Sequence, residues 1–104
     1  MEFLVHITIE RLQNSAGDQR DDELARAERE RAEELARVGR VVRLWRVPGQ
    51  RASWGLWDAP DATALHEALS SLPLWPWMRV DVHPLARHPS DPLQSEHGIM
   101  EVHP

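Results

Sequence analysis

Apolar and polar positions alternate at the start of the chain and predict a β-strand, because successive side chains of a strand point to opposite faces. The apolar set is Phe3, Val5, Ile7 and Ile9. Residues 11–17 have the composition of a loop. From Asp18 to Val38 the chain is rich in good helix formers, with acidic residues in its first turns and Gly39 after its end. This segment predicts the first helix.

Two further β-rich runs flank Pro48-Gly49 and predict a hairpin, because this dipeptide is typical of a tight turn. Pro60 and Asp61 then provide a helix breaker and an N-cap. The helix that follows is marked by apolar residues at helical spacing, namely Leu65, Leu69 and Leu72. Two prolines, Pro73 and Pro76, end it. A last strand is predicted from the apolar positions Met78, Val80, Val82 and Leu85.

The predicted order is βαββαβ, which is the pattern of a ferredoxin-like α+β fold. We expect this fold to occupy residues 1–90 and a polar, proline-containing tail to occupy residues 91–104. Two helices can cover only one face of a four-stranded sheet, whereas the hairpin carries apolar residues of both parities. The second face therefore predicts a homo-oligomer in which two sheets pack against each other.

The composition narrows the possible chemistry. The chain has no Cys and no Tyr, and all twelve basic residues are Arg. Thiolate nucleophiles, cysteine metal sites and lysine Schiff bases are therefore excluded, and proton transfer must use Asp, Glu or His. The histidines lack metal-ligand spacing, so no metal is expected. The formal net charge of −5 argues against nucleic acid as the main partner. No segment predicts membrane insertion or secretion, so we expect a cytoplasmic protein.

One acidic residue of the first helix falls on its apolar side. On a helical wheel, the buried stripe is defined by Leu24, Ala27, Leu35 and Val38. Glu28 and Arg31 fall inside this stripe, whereas the other acids point elsewhere. Glu28 is either paired with Arg31, three residues along the helix, or it is a general acid or base whose pKa is raised by desolvation. His6, a titratable ring on the opposite parity of the first strand, is a second acid–base candidate.

Several segments together resemble the muconolactone isomerase family, over about residues 1–90. The matching segments are Leu44-Trp45-Arg46, Pro48-Gly49, Trp57-Asp58-Ala59-Pro60, Ala64-Leu65-His66, Leu72-Pro73-Leu74-Trp75-Pro76-Trp77-Met78 and Arg87-His88-Pro89-Ser90. The resemblance implies a ferredoxin-like subunit that pairs into a dimeric α+β barrel. It also implies assembly into a ring of dimers, commonly a decamer, with pockets shared between subunits.

The resemblance further implies a cofactor-free isomerase of aromatic catabolism. In this family a base takes a proton from one carbon of a lactone and returns it to another, without metal or nucleotide. The family's glutamate on the first helix falls on Glu28, the residue that the helical wheel singles out independently. His6 stands where the family usually has Lys or Arg. Arg51 and Ser53 stand in the hairpin where the family often has Tyr and Asn.

These observations predict an enzyme that catalyses an allylic proton shift on a small unsaturated lactone or a related enolisable carbonyl compound. Glu28 is the expected proton shuttle, and His6 a second acid–base or electrostatic group. Arg46 or Arg51 is expected to bind a substrate carboxylate, and Trp54 to wall an apolar ring. Two alternatives stay open: a cyclase, dehalogenase or tailoring enzyme of the same fold acting on a polyketide-like substrate, and a non-catalytic oligomeric binding module.

Overall fold

A computed structural model describes residues 1–10 and 19–93, with side chains described from residue 21 in the second range. The elements, in chain order, are β1 (Glu2–Ile9), α1 (Gln19–Arg37), β2 (Val41–Arg46), β3 (Ala52–Asp58), α2 (Ala62–Ser70), a 3₁₀ turn (Trp75–Trp77) and β4 (Met78–Leu85). The strands form one antiparallel sheet in the order β2-β3-β1-β4. The predicted ferredoxin-like α+β fold is therefore confirmed. The predicted loop at 11–17 lies outside the described residues.

The core lies between the two helices and one face of the sheet. Its buried side chains come from the apolar positions of β1, from Val41 on β2 and Trp57 on β3, and from Leu35, Leu65 and Leu69 on the helices. Phe3 and Val5 are the largest side chains that are fully buried. The period-two pattern of β1 thus predicted the buried face correctly.

Helix α1 ends one residue earlier than its composition predicted. Gly39 has a positive φ of 84°, and the N–H groups of Gly39 and Arg40 donate to the carbonyls of Ala36 (3.1 Å) and Leu35 (2.9 Å). These two bonds form a Schellman motif, which turns the chain away from the helix axis. Val38, expected in the buried stripe, stands in this turn and is 68% exposed, so that part of the prediction was wrong.

The β2–β3 hairpin turns at Pro48-Gly49, as predicted. The Gln50 N–H donates to the Val47 carbonyl at 3.2 Å, and Gly49 at the third position has a φ of 77°. Proline at the second position and glycine at positive φ at the third are typical of a type II turn. Arg46 stands opposite Ser53 across the hairpin, and Arg51 precedes Ser53 by two residues, so the two arginines flank the turn.

A bulge explains part of the mixed parity of the hairpin. The pairing register of β2 on β3 shifts between Val41 and Arg43. Because a bulge inserts one extra residue, apolar side chains of opposite sequence parity can point to the same face. Val41 opposite Trp57 and Leu44 opposite Gly55 both lie on the helix-facing side. The bulge therefore explains why apolar residues of both sequence parities lie on the helix-facing side of β2, while Trp45, opposite Trp54, remains on the second face.

The second face of the sheet is left uncovered by the described residues. The cross-strand pairs Leu4–Leu56 and His6–Trp54 stand on it, and all four side chains are only partly buried. The chain that follows β4 adds no strand or helix up to residue 93, and the rest of the predicted tail lies outside the described residues. Within 1–10 and 19–93, no helix is both long and apolar enough to cross a membrane.

Candidate active site

Glu28 lies in the wall of a cavity of about 560 Å³. The cavity is enclosed by α1, by the β2 side of the sheet and by the segment between α2 and β4. Most of its lining is apolar, including Ile7, Ile9, Ala32, Val41, Leu72 and Met78. Glu28 is half-buried, as its position on the helical wheel predicted.

The main chain of the proline-rich segment holds the Glu28 carboxyl group. The Leu74 N–H donates a hydrogen bond of 3.0 Å to Oε1 of Glu28. Helix α2 ends at Ser70, and Pro73 and Pro76 prevent the helix from continuing into this segment. The Leu74 N–H is therefore not used in a helical hydrogen bond. Burial raises the pKa of the Glu28 carboxyl above its ordinary value, and the hydrogen bond from Leu74 offsets part of that rise.

Arg31 does not pair with Glu28, which contradicts the simpler of the two interpretations of this helix face. The Arg31 guanidinium donates to Oε1 of Glu34 at 3.0 Å and to Oγ of Ser71 at 2.9 Å. It thereby connects α1 to the end of α2. Within the described part of the chain Glu28 therefore has no cationic partner, and such a carboxyl group in an apolar wall is a candidate acid–base residue.

The two arginines predicted to bind substrate line the same cavity as Glu28. Arg46 ends the edge strand β2 and Arg51 precedes β3, and both are exposed. Between them in the wall is Ser53, which is half-buried and stands opposite Arg46 in the hairpin register. The cavity thus combines one desolvated carboxyl group with two cations near its open edge.

His6 and Trp54 are not part of this cavity. They stand opposite each other on the uncovered face of the sheet, with ring centroids 4.6 Å apart. Nδ1 of His6 is 3.9 Å from Oδ2 of Asp81, on the other neighbouring strand. The strand alternation that buries Val5 and Ile7 directs His6 away from Glu28. Within one chain the two residues do not share a site, so the catalytic role of His6 and the wall role of Trp54 stay predictions.

Three contributors to the cavity were missed by reasoning from the sequence. They are the Leu74 N–H, Ser53 and the indole of Trp57, which is 2% exposed. Ser53 has the same strand parity as Arg51, which was assigned to the site from the sequence, so strand alternation was an available signal for Ser53. The main-chain donor and the indole position depend on long-range packing, and no local pattern indicates them. Among the described residues, no group of three or more His, Asp or Glu side chains could hold a metal ion.

Fold and site together define the class of protein: a ferredoxin-like α+β subunit whose cavity holds one carboxyl group suited to proton transfer. A family model described as muconolactone delta-isomerase matches residues 1–91. The muconolactone delta-isomerase of Pseudomonas aeruginosa is 39% identical over 90 residues, covering 86% of this chain and 93% of that relative. The enzyme of that name from Cupriavidus pinatubonensis is 38% identical, covering 86% and 97%.

A solved structure gives the same result. The crystal structure of a muconolactone isomerase superimposes with a TM-score of 0.79 at 37% identity, covering 88% of this chain and 94% of that one. The chain therefore belongs to the muconolactone delta-isomerase family and is an intramolecular isomerase of that type. The alternative of a non-catalytic binding module is thereby overturned.

Proposed function

We propose that this enzyme moves the double bond of a small unsaturated lactone that carries a carboxylate. The observation that carries the proposal is the half-buried Glu28 carboxyl group, which faces an apolar cavity and pairs with no arginine among the described residues. Relatives named for muconolactone supply the substrate class. The resemblance also suggests a role in the breakdown of aromatic acids.

The proposed reaction begins with the Glu28 carboxylate. It removes a proton from the carbon γ to the lactone carbonyl, and the electrons of that C–H bond form a new double bond between the β and γ carbons. The electrons of the former α–β double bond form a double bond between the α carbon and the carbonyl carbon, and the carbonyl oxygen takes the negative charge. The intermediate is therefore a dienolate. The Glu28 carboxylic acid then returns the proton to the α carbon. One carboxyl group is both acceptor and donor, so atoms balance without a cofactor.

The two arginines complete the proposed site. Arg46 and Arg51 line the cavity at its open edge, where a guanidinium can bind the substrate carboxylate with two parallel hydrogen bonds. The apolar remainder of the wall reduces the hydration of the Glu28 carboxyl group, which raises its pKa. A carboxyl group with a raised pKa is a stronger base than an ordinary one, which suits removal of a weakly acidic C–H proton.

The experiment that tests the proposal follows the reaction of muconolactone in D₂O by proton NMR. We expect the αβ-unsaturated lactone to convert to the βγ-unsaturated enol-lactone, with protium from the γ carbon retained at least in part at the α carbon, because the same carboxyl group removes and returns it. A second sample contains a chlorinated muconolactone, and release of chloride there without isomerisation of the first substrate would favour the dehalogenase alternative. If neither lactone reacts, the proposed substrate class is wrong.

We further propose that the uncovered sheet face pairs with a second copy of the chain. Leu4, Leu56 and Trp54 form its apolar part and are only partly buried. Sedimentation analysis is expected to give a mass that is a multiple of the 12.0 kDa subunit, and Leu56→Arg is expected to lower that mass, since it introduces an unpaired charge. A wild-type mass of one subunit would contradict this proposal. Larger rings, including the decamer that the resemblance implies, would appear as higher multiples.

A further inference from the structure

The indole nitrogen of Trp57 is a buried donor that meets no acceptor among the described residues. Trp57 is 2% exposed, and its Nε1 has no hydrogen-bond partner in the described part of the chain. Such a donor loses its hydration on folding and gains nothing in return, so folded proteins rarely retain one. Trp57 also lines the cavity that contains Glu28. An unpaired donor in the wall of a site indicates a partner that arrives with the ligand.

Gly55 provides the space in which this nitrogen lies. A Cβ atom on residue 55 would stand 2.7 Å from Nε1 of Trp57 and 2.9 Å from Cδ2 of Leu44. The indole N–H and one methyl group of Leu44 therefore meet over the glycine, on the helix-facing side of the sheet. Leu44 belongs to the edge strand and is 52% exposed. Its side chain can consequently rotate away from the N–H without disturbing the core.

We propose that the Trp57 N–H donates a hydrogen bond to the carbonyl oxygen of the bound lactone once the Leu44 side chain has moved aside. This inference rests on the proposed function, and it assigns Trp57 to the oxygen that becomes negative when Glu28 takes the proton. A fixed donor in a site with little water stabilises such an oxyanion strongly. The indole stays protonated throughout, and the charge leaves the oxygen when the α carbon receives its proton.

A neutral donor is well suited to this position. A cation near Glu28 would stabilise its carboxylate and lower its pKa, which would weaken it as a base. The indole N–H carries no net charge, so it can stabilise the dienolate with little effect on Glu28. Arg46 and Arg51, at the open edge, remain available for the substrate carboxylate.

The kinetic test compares Trp57→Phe with the matched variant Trp75→Phe, both assayed with muconolactone. Trp75 is a partly buried tryptophan that lines a separate hollow beside His66. We expect Trp57→Phe to lower kcat about 10- to 100-fold with KM changed less than about threefold, because one oxyanion donor is lost. Trp75→Phe is expected to stay within about twofold of wild type. Equal kcat values for Trp57→Phe and wild type would overturn the proposal.

A second measurement uses the unchanged enzyme, so it does not depend on the folding of Trp57→Phe. Protein labelled uniformly with ¹⁵N, so that the indole and the arginine side-chain N–H signals are both observed, is titrated with a saturated γ-butyrolactone carrying an acetate group, which cannot isomerise. The five indole signals are assigned by elimination, with phenylalanine at each of the other four tryptophans. We expect the Trp57 N–H proton to move downfield.

The two proposals fail in different ways in this titration. If the side-chain signals of Arg46 and Arg51 shift while the Trp57 signal stays in place, the Trp57 assignment is overturned and the proposed function stands. If no signal shifts and wild-type enzyme turns over neither lactone, the proposed substrate class is wrong and the Trp57 assignment falls with it.

Discussion

Glu28→Gln is expected to lower kcat for lactone isomerisation by about 10³- to 10⁴-fold, because the amide can neither accept nor return the proton. KM is expected to change little, since glutamine has nearly the same shape and its Oε1 can still accept the hydrogen bond of 3.0 Å from the Leu74 N–H. The measurement is steady-state kinetics with muconolactone. The matched control is Glu33→Gln, an exposed position on the same helix, which should retain full activity.

The acidic limb of the pH profile should report the same group. Burial raises the pKa of Glu28. As the pH is lowered, wild-type activity should therefore begin to fall at a higher pH than it would if the base were a carboxyl group of ordinary pKa. Activity that is equal in Glu28→Gln and wild type would remove Glu28 from the mechanism.

The stability of Glu28→Gln provides an internal control for folding. A carboxyl group whose pKa is raised in the folded state stabilises the fold most when it is protonated, and this contribution is lost as the pH rises through the folded pKa. Glutamine does not titrate. The stability of the variant relative to wild type, measured as the difference between their free energies of unfolding, should therefore be greater at pH 7 than at pH 4. Thermal unfolding at the two pH values measures this difference.

Removing both arginines of the cavity is expected to give the second-largest effect. The double variant Arg46→Gln, Arg51→Gln should raise KM for a carboxylate-bearing lactone by at least about 100-fold, because a hydrogen bond to a charged group contributes about 1.5–3 kcal/mol. The effect on kcat should be much smaller, since neither side chain takes part in the proton transfer. Each single variant should show a part of the increase, because the remaining guanidinium can still bind the carboxylate.

Arg43→Gln is the matched control for this pair. Arg43 is on the same edge strand, but it faces the other side of the sheet, where its guanidinium stacks 4.9 Å from the centre of the Trp45 ring. KM should therefore stay close to the wild-type value. Added salt should raise KM of wild type more than that of the double variant, since exposed charges are screened. An unchanged KM in the double variant would show that the carboxylate binds elsewhere.

The local patterns of the sequence were sufficient for most of the fold. Alternation fixed the buried face of β1, Pro48-Gly49 fixed the hairpin turn, and Asp61 caps α2 through a 2.8 Å bond from the Ala64 N–H. Each of these features acts over a few residues, so it can be recognised without tertiary information. The end of α1 was misjudged at Val38, because apolar spacing continued into residues that the glycine turn removes from the helix.

The site was less predictable, because its contacts join distant segments. Helical spacing placed Glu28 on the buried side, but the same spacing allowed Arg31 to pair with either Glu28 or Glu34. In the structure Arg31 pairs with Glu34, and its guanidinium also donates to the hydroxyl of Ser71, 40 residues away in the chain. His6 was assigned the correct parity, yet its parity directs it to the face opposite Glu28. The position of the Trp57 indole depends on the space that Gly55 leaves and on the Leu44 side chain of the adjacent strand.

The donor that holds the Glu28 carboxyl group belongs to the peptide backbone and not to a side chain. Every residue type except proline supplies the same N–H at position 74, so exchanges there can reshape the cavity while the base keeps its anchor. An enzyme built in this way can acquire new substrates through mutations of its walls without first losing its proton-transfer group.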